Sequence, residues 1–91
     1  MSGDGVWPEW QVRAEGLHIA LRFAHFDAVH GFITELMAWA QRNDHHPEVS
    51  FGYAQATVTW FSHDAKAITE RDYRGARATQ QLMITWGATV V

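Results

Sequence analysis

The sequence contains no cysteine. Disulfides, thiolate nucleophiles and cysteine-based zinc sites are therefore excluded. Proline is scarce, with two residues, and nothing reads as a linker, an internal repeat or a low-complexity segment. No basic run is present and the formal net charge is −3, which argues against a nucleic-acid surface. The apolar runs fall far short of a membrane span, and no signal peptide is expected ahead of them. The expected setting is the cytoplasm, with neither nucleic acid nor membrane as partner.

What is abundant is apolar and aromatic. Hydrophobic residues make up 47% of the chain, with five Trp and five Phe, so a packed globule is expected over disorder. Ninety-one residues suffice for one domain with a single core. A loose, small and polar tail is expected over 1–6, and the domain over 7–91.

Periodicity gives the elements. Trp10 and Val12 suggest an edge strand within Trp7 to Arg13, Gly16 marks a turn, and Ile19, Leu21 and Phe23 alternate in a second strand. From about Asp27 the period changes to three and four. Val29, Phe32, Ile33, Leu36, Met37 and Ala40 form the stripe of an amphipathic helix, with Asp27 as N-cap or first-turn acid. That helix should stop near Arg42-Asn43, since Pro47 forbids continuation. Val49, Phe51 and Tyr53, then Ala56, Val58 and Trp60, read as a second hairpin. A two-residue connection at Ala54-Gln55 would set His46 opposite His63, although Ala-Gln is a poor hairpin turn. A second helix is expected from Thr69 through Trp86, closed by Gly87. The order ββαββα makes an α+β two-layer sandwich: a four-stranded antiparallel sheet with helices on one face.

The chemistry concentrates in Asp44-His45-His46-Pro47-Glu48, with His63 and Asp72 downstream. Histidine exchanges protons near neutral pH, and a hairpin would gather these three imidazoles at one of its ends. A lone histidine is more often structural, so His18, His25 and His30 receive no role. Adjacent histidines stiffened by a proline are harder to explain as core filling. Asp72 has a plain structural explanation, because Thr69 to Asp72 has the form of a capping box. It becomes functional only if the loop from His63 to Thr69 returns the helix start to the same end of the sheet. A carboxylate there could orient an imidazole or hold a ligand's donor groups.

Other chemistries fit less well. Adjacent histidines rarely aim at one metal, and no HExxH spacing occurs, so no metal site is expected. Ser50 and Ser62 sit in no nucleophile elbow. What remains is acid–base work by imidazoles on a small organic molecule, worth about two to four powers of ten in rate. A dehydration suits that, one group protonating a leaving hydroxyl while another removes a proton.

These residues resemble the pterin-4a-carbinolamine dehydratase family. The likeness runs through Leu21-Arg22-Phe23, Phe32-Ile33-Thr34, His45-His46-Pro47, Phe51-Gly52-Tyr53, Ser62-His63-Asp64 and Ile68-Thr69-Glu70-Arg71-Asp72, from roughly Trp10 to Ala78. The resemblance implies dehydration of 4a-hydroxytetrahydropterin to quinonoid dihydropterin, in tetrahydrobiopterin recycling, with no metal or organic cofactor. Carried onto this chain, it makes His45 and His63 the acid–base pair. His46 would orient the pterin and Asp72 complete the pocket, with Gln41, Pro47 and Arg71 as substrate-binding neighbours. It also implies a homodimer or homotetramer.

Two departures stand out. Gln41 occupies a position usually acidic in the family, keeping hydrogen bonding and losing charge. Ala67 replaces a usual glycine, which matters only where φ is positive. A competing reading keeps the fold without the catalysis, as a dimerisation or assembly module, favoured by Gln41 and by the several aromatics, a residue class enriched at interfaces.

Overall fold

The computed structural model describes residues 5–91. In chain order the elements are β1 (Gln11–Arg13), β2 (Gly16–Arg22), α1 (Phe26–Asn43), β3 (Glu48–Phe51), β4 (Gln55–Trp60), α2 (Glu70–Trp86) and β5 (Thr89–Val90). Leu17, Ile19 and Leu21 of β2 and Ala56, Val58 and Trp60 of β4 face inward. They join Val29, Phe32 and Leu36 of α1 with Ala76 and Met83 of α2 in one core. Alternate strand residues face away from the helices, which is the α+β two-layer sandwich expected. Burying the Val, Leu, Ile, Phe and Met side chains among these contributes about 1.5–3 kcal/mol each.

The sheet is antiparallel in the order β1-β2-β4-β3. A fifth strand, unanticipated from the sequence, pairs β5 with β2 through Leu21↔Val90 and Arg22↔Thr89. β1 pairs with the other end of β2, from Gln11↔His18 to Arg13↔Gly16. Two short strands thus share the outer edge of β2. A two-residue strand is too brief for alternation to reveal.

β1 is also shorter than Trp7 to Arg13. Trp10 is buried, and its indole N–H donates to Gln80 Oε1 at 2.9 Å. The Trp7 backbone N–H donates to the same oxygen at 2.8 Å, and Gln80 Nε2 donates to the Gly5 carbonyl at 3.0 Å. One buried amide on α2 therefore takes up the polar groups of this segment. Of the tail expected over 1–6, residues 1–4 lie outside the described residues. Val6 packs against the core.

α1 buries Ala28, Val29, Phe32, Ile33, Leu36 and Ala40, close to the expected stripe. Its N-cap is His25, whose Nδ1 accepts from the Ala28 N–H at 3.4 Å, while Asp27 lies in the first turn. The helix ends at Asn43, with Asp44 left-handed at φ 50. Both the Asp44 and His45 N–H groups reach the Ala40 carbonyl. α2 opens at Thr69 and closes at Gly87, φ 69, where glycine carries no side-chain penalty.

The β3–β4 register corrects the sequence reading. Val49 pairs with Val58 and Phe51 with Ala56, and the Gly52 N–H donates to the Gln55 carbonyl at 2.9 Å. The chain turns at Tyr53-Ala54, so His46 does not stand opposite His63. Ser62 instead forms an isolated bridge with Ala67. A slip of this kind keeps every side chain on its own face, so the apolar pattern cannot detect it.

Candidate active site

The floor of the site is Trp60, the last residue of β4 and fully buried. Its indole N–H donates to Thr79 Oγ1 at 3.0 Å, and Thr79 in turn donates to the Gly75 carbonyl. Gly75 presents no β-carbon, so the indole lies directly against α2. Trp39 of α1 meets Trp60 edge-on, with ring centroids 5.5 Å apart. On this floor lies the His45 imidazole, its centroid also 5.5 Å away and its plane inclined by 26°.

His45 is held by Asp72. Its Nε2 lies 2.7 Å from Asp72 Oδ1, and that carboxylate is wholly buried. The other carboxylate oxygen accepts from Ser62 Oγ at 2.7 Å and from the Thr69 backbone N–H at 2.8 Å. Ser62 Oγ also lies 2.7 Å from Thr69 Oγ1. The capping contact expected of Asp72 is present, and the same side chain reaches the imidazole. Both uses follow from one placement, because the loop bridged at Ser62–Ala67 returns the start of α2 to this end of the sheet.

His46 is directed elsewhere. It is exposed, and its Nε2 lies 2.9 Å from Gln41 Oε1 at the end of α1. An amide oxygen only accepts, so the ring nitrogen donates. Gln41, His46 and Pro47 line a groove of about 400 Å³ between α1 and β3, with Met37, Val49 and Phe51 as its apolar wall.

His63 sits edge-on to Phe61, centroids 5.0 Å apart. These two line another groove, of about 320 Å³, with Glu15, Glu48 and Thr59. Thr59 Oγ1 is 2.8 Å from Nδ1 of His18. Arg71 points along the surface, Nη2 donating to Asp64 Oδ1 at 2.7 Å. That bond holds the exposed Asp64 carboxyl below the usual carboxylate range. Ala67 has no positive φ; in this loop Lys66 takes it, at 52°.

The structure thus joins His45 to Asp72 and His46 to Gln41 and Pro47. His63 lies at the same end of the hairpin, in a groove with neighbours of its own. Sequence reasoning missed Trp60, Ser62 and Thr79 as parts of the site. Ser62 was weighed only as a nucleophile. Its parity with Trp60 was the available signal, since residues two apart on a strand share a face.

Comparisons with known proteins point the same way. The family model described as pterin 4 alpha carbinolamine dehydratase matches residues 4–82. A relative from Bordetella avium, provisionally named pterin-4-alpha-carbinolamine dehydratase, is 37% identical over 87 residues, covering 93% of this chain and 81% of the relative. Another with that provisional name, from Novosphingobium aromaticivorans, is 38% identical over 78 residues, covering 84% and 81%. A crystal structure described as transcriptional coactivator/pterin dehydratase from Brucella melitensis superposes with a TM-score of 0.78 at 28% identity, covering 82% of each chain. The histidine-bearing loop, the carboxylate at the head of α2 and these matches together establish that the chain belongs to the pterin 4 alpha carbinolamine dehydratase family.

Proposed function

We propose that the chain dehydrates a 4a-hydroxytetrahydropterin to the quinonoid dihydropterin by histidine acid–base catalysis, within tetrahydrobiopterin recycling. In this elimination one imidazolium gives its proton to the C4a hydroxyl, which leaves as water. An imidazole takes the proton from N5, and the N5 electron pair forms the new double bond to C4a. His45 and His63 form the acid–base pair, while His46 with Gln41 and Pro47 orients the ring. Arg71, held at the surface by Asp64, is assigned to substrate binding with them. Such catalysis supplies about 10²–10⁴-fold, enough for a reaction already facile in water.

The observation that carries this reading is the His45–Asp72 pair, 2.7 Å apart with the carboxylate buried. A buried carboxylate that serves only as a helix cap does not need an imidazole on its second oxygen. Purified protein should accelerate loss of 4a-hydroxytetrahydropterin in a stopped-flow assay. A His45→Ala, His63→Ala double variant that kept the full rate would overturn the proposal.

A second reading, a non-catalytic dimerisation or assembly module, draws on the exposed Phe51, Tyr53, Phe26 and Met37. It also draws on the description of the Brucella melitensis protein as a transcriptional coactivator. A stoichiometric protein partner in a pull-down, with no pterin turnover, would favour it. On either reading we expect at least a dimer, because the outer edge of β3 has no strand beside it among the described residues. Analytical ultracentrifugation reads this directly.

A further inference from the structure

We infer that Ser62 is a positioning residue: through Asp72 it fixes the proton of His45 on Nε2 and leaves Nδ1 as the nitrogen that exchanges a proton with the substrate. The inference rests on His45 acting in the proposed dehydration and adds which atom acts and what orients it.

The argument follows the direction of each hydrogen bond. A carboxylate accepts and does not donate. Asp72 Oδ2 therefore accepts from the Thr69 backbone N–H and from the Ser62 hydroxyl. Ser62 has spent its only proton on Asp72, so in its 2.7 Å contact with Thr69 Oγ1 the threonine hydroxyl is the donor. With Oδ2 engaged twice, the carboxylate cannot rotate without breaking two bonds in a buried place. Oδ1 is left facing His45 Nε2 at 2.7 Å, and that nitrogen must carry a hydrogen. Three donors converge on Asp72, and the Thr69 hydroxyl supports one of them, the Ser62 hydroxyl.

The consequence falls on the far side of the ring. In neutral imidazole a proton on Nε2 leaves Nδ1 with its lone pair, and in imidazolium Nδ1 holds the transferable proton. Nδ1 has no partner among the described residues, and it is not among the buried polar atoms left unpaired. It therefore reaches solvent. Trp60 covers one face of the ring, which limits tilting away from Asp72. The result is one imidazole held at one nitrogen and open at the other. Rotation about its ring bond would bring Nδ1 to Asp72 only by moving the ring on the Trp60 floor.

The test uses the full chain labelled with ¹⁵N in its imidazoles. At alkaline pH the His45 signals should show a protonated Nε2 and a bare Nδ1. In Ser62→Ala the carboxylate loses its hydroxyl donor, so His45 should show a mixture of tautomers. The kcat for 4a-hydroxytetrahydropterin should fall roughly ten- to a hundredfold while KM stays within about twofold. Ser62→Thr, which restores the hydroxyl, should recover both the single tautomer and kcat. Should Ser62→Ala not fold, Thr69→Val removes the hydroxyl that orients Ser62 with little change of shape, and the same readouts apply. A wild-type His45 protonated on Nδ1 overturns the inference. So do an unchanged tautomer and kcat in Ser62→Ala, or a loss of kcat that Ser62→Thr does not recover. A protein inert toward the pterin, yet showing the Nε2 proton and its loss in Ser62→Ala, upholds the anchoring and sinks the dehydratase reading alone.

Discussion

Gly75 and Trp60 are in contact so close that a β-carbon on the glycine would stand 2.4 Å from the indole Cδ2. No rotamer of an added methyl group relieves that, because the clash is with the rigid ring. Gly75→Ala should therefore displace Trp60 and with it the His45 ring stacked above. Overpacking of this kind costs roughly 1–3 kcal/mol. Activity should fall further than the shift in denaturant midpoint accounts for, when both are measured on the same preparation.

Gly31 supplies the matching control. A β-carbon there would lie 2.2 Å from the Trp86 ring, on the other helix pair contact and away from His45. Gly31→Ala should destabilise by a similar amount, roughly 1–3 kcal/mol. Its turnover per folded molecule should stay at the wild-type value. Equal losses of activity in the two variants would mean that Trp60 has no special bearing on His45.

Asp72 serves three donors at once, and its removal strands all of them. Asp72→Ala should destabilise by roughly 3 kcal/mol or more, since buried donors left without an acceptor are costly. Asp72→Asn keeps the shape and loses the acceptor-only character. It should fold with a smaller loss while its kcat falls about 10²-fold. Thermal melts beside initial rates would separate the two effects.

His18 makes the pH dependence predictable. Burial, assisted by the Arg13 charge and opposed by Glu15, holds its imidazole below the ordinary value of about 6.5. Just below that pH the unfolded chain binds a proton here that the folded chain refuses. The stabilising share of His18 is complete above the unfolded value, declines as pH falls through it, and is gone below the folded value. Urea midpoints should drop as pH falls below about 6.5. His18→Gln should flatten part of that drop while retaining a polar partner for Thr59.

Gln80 ties the segment from Gly5 to Trp10 to α2. Gln80→Leu keeps the bulk and removes the acceptor that serves the Trp7 and Trp10 N–H groups, a loss of roughly 1–3 kcal/mol. Limited proteolysis should cut ahead of Gln11 faster in this variant. Tryptophan emission should shift to the red as Trp10 gains water.

Much of this architecture was legible because two periods, three-to-four and two, dominate the chain. The α1 stripe from Val29 to Ala40 and the closing glycine at 87 appeared where the pattern put them, except that Met37 faces outward. What the pattern could not carry was anything fixed by tertiary contact alone. The β3–β4 register slipped without moving a side chain off its face. His25 took the N-cap from Asp27, a choice decided by local backbone geometry more than by residue ranking. β5 was too short to show a period. At the site, His45 and Asp72 were found from residue type and spacing, whereas Ser62 and Trp60 act only through what they touch. A serine with no elbow and a tryptophan in a strand look ordinary until their neighbours are known.

The amide of Gln80 has a consequence in time as well as in space. Gly5, Trp7 and Trp10 are synthesised before α2, yet polar groups of all three are satisfied by the Gln80 side chain within it. As translation runs from the amino end, this stretch emerges before α2 and is seated only after it. Until α2 is available, the Trp7 backbone N–H, the Trp10 indole and the Gly5 carbonyl remain open to whatever else is nearby in the cell.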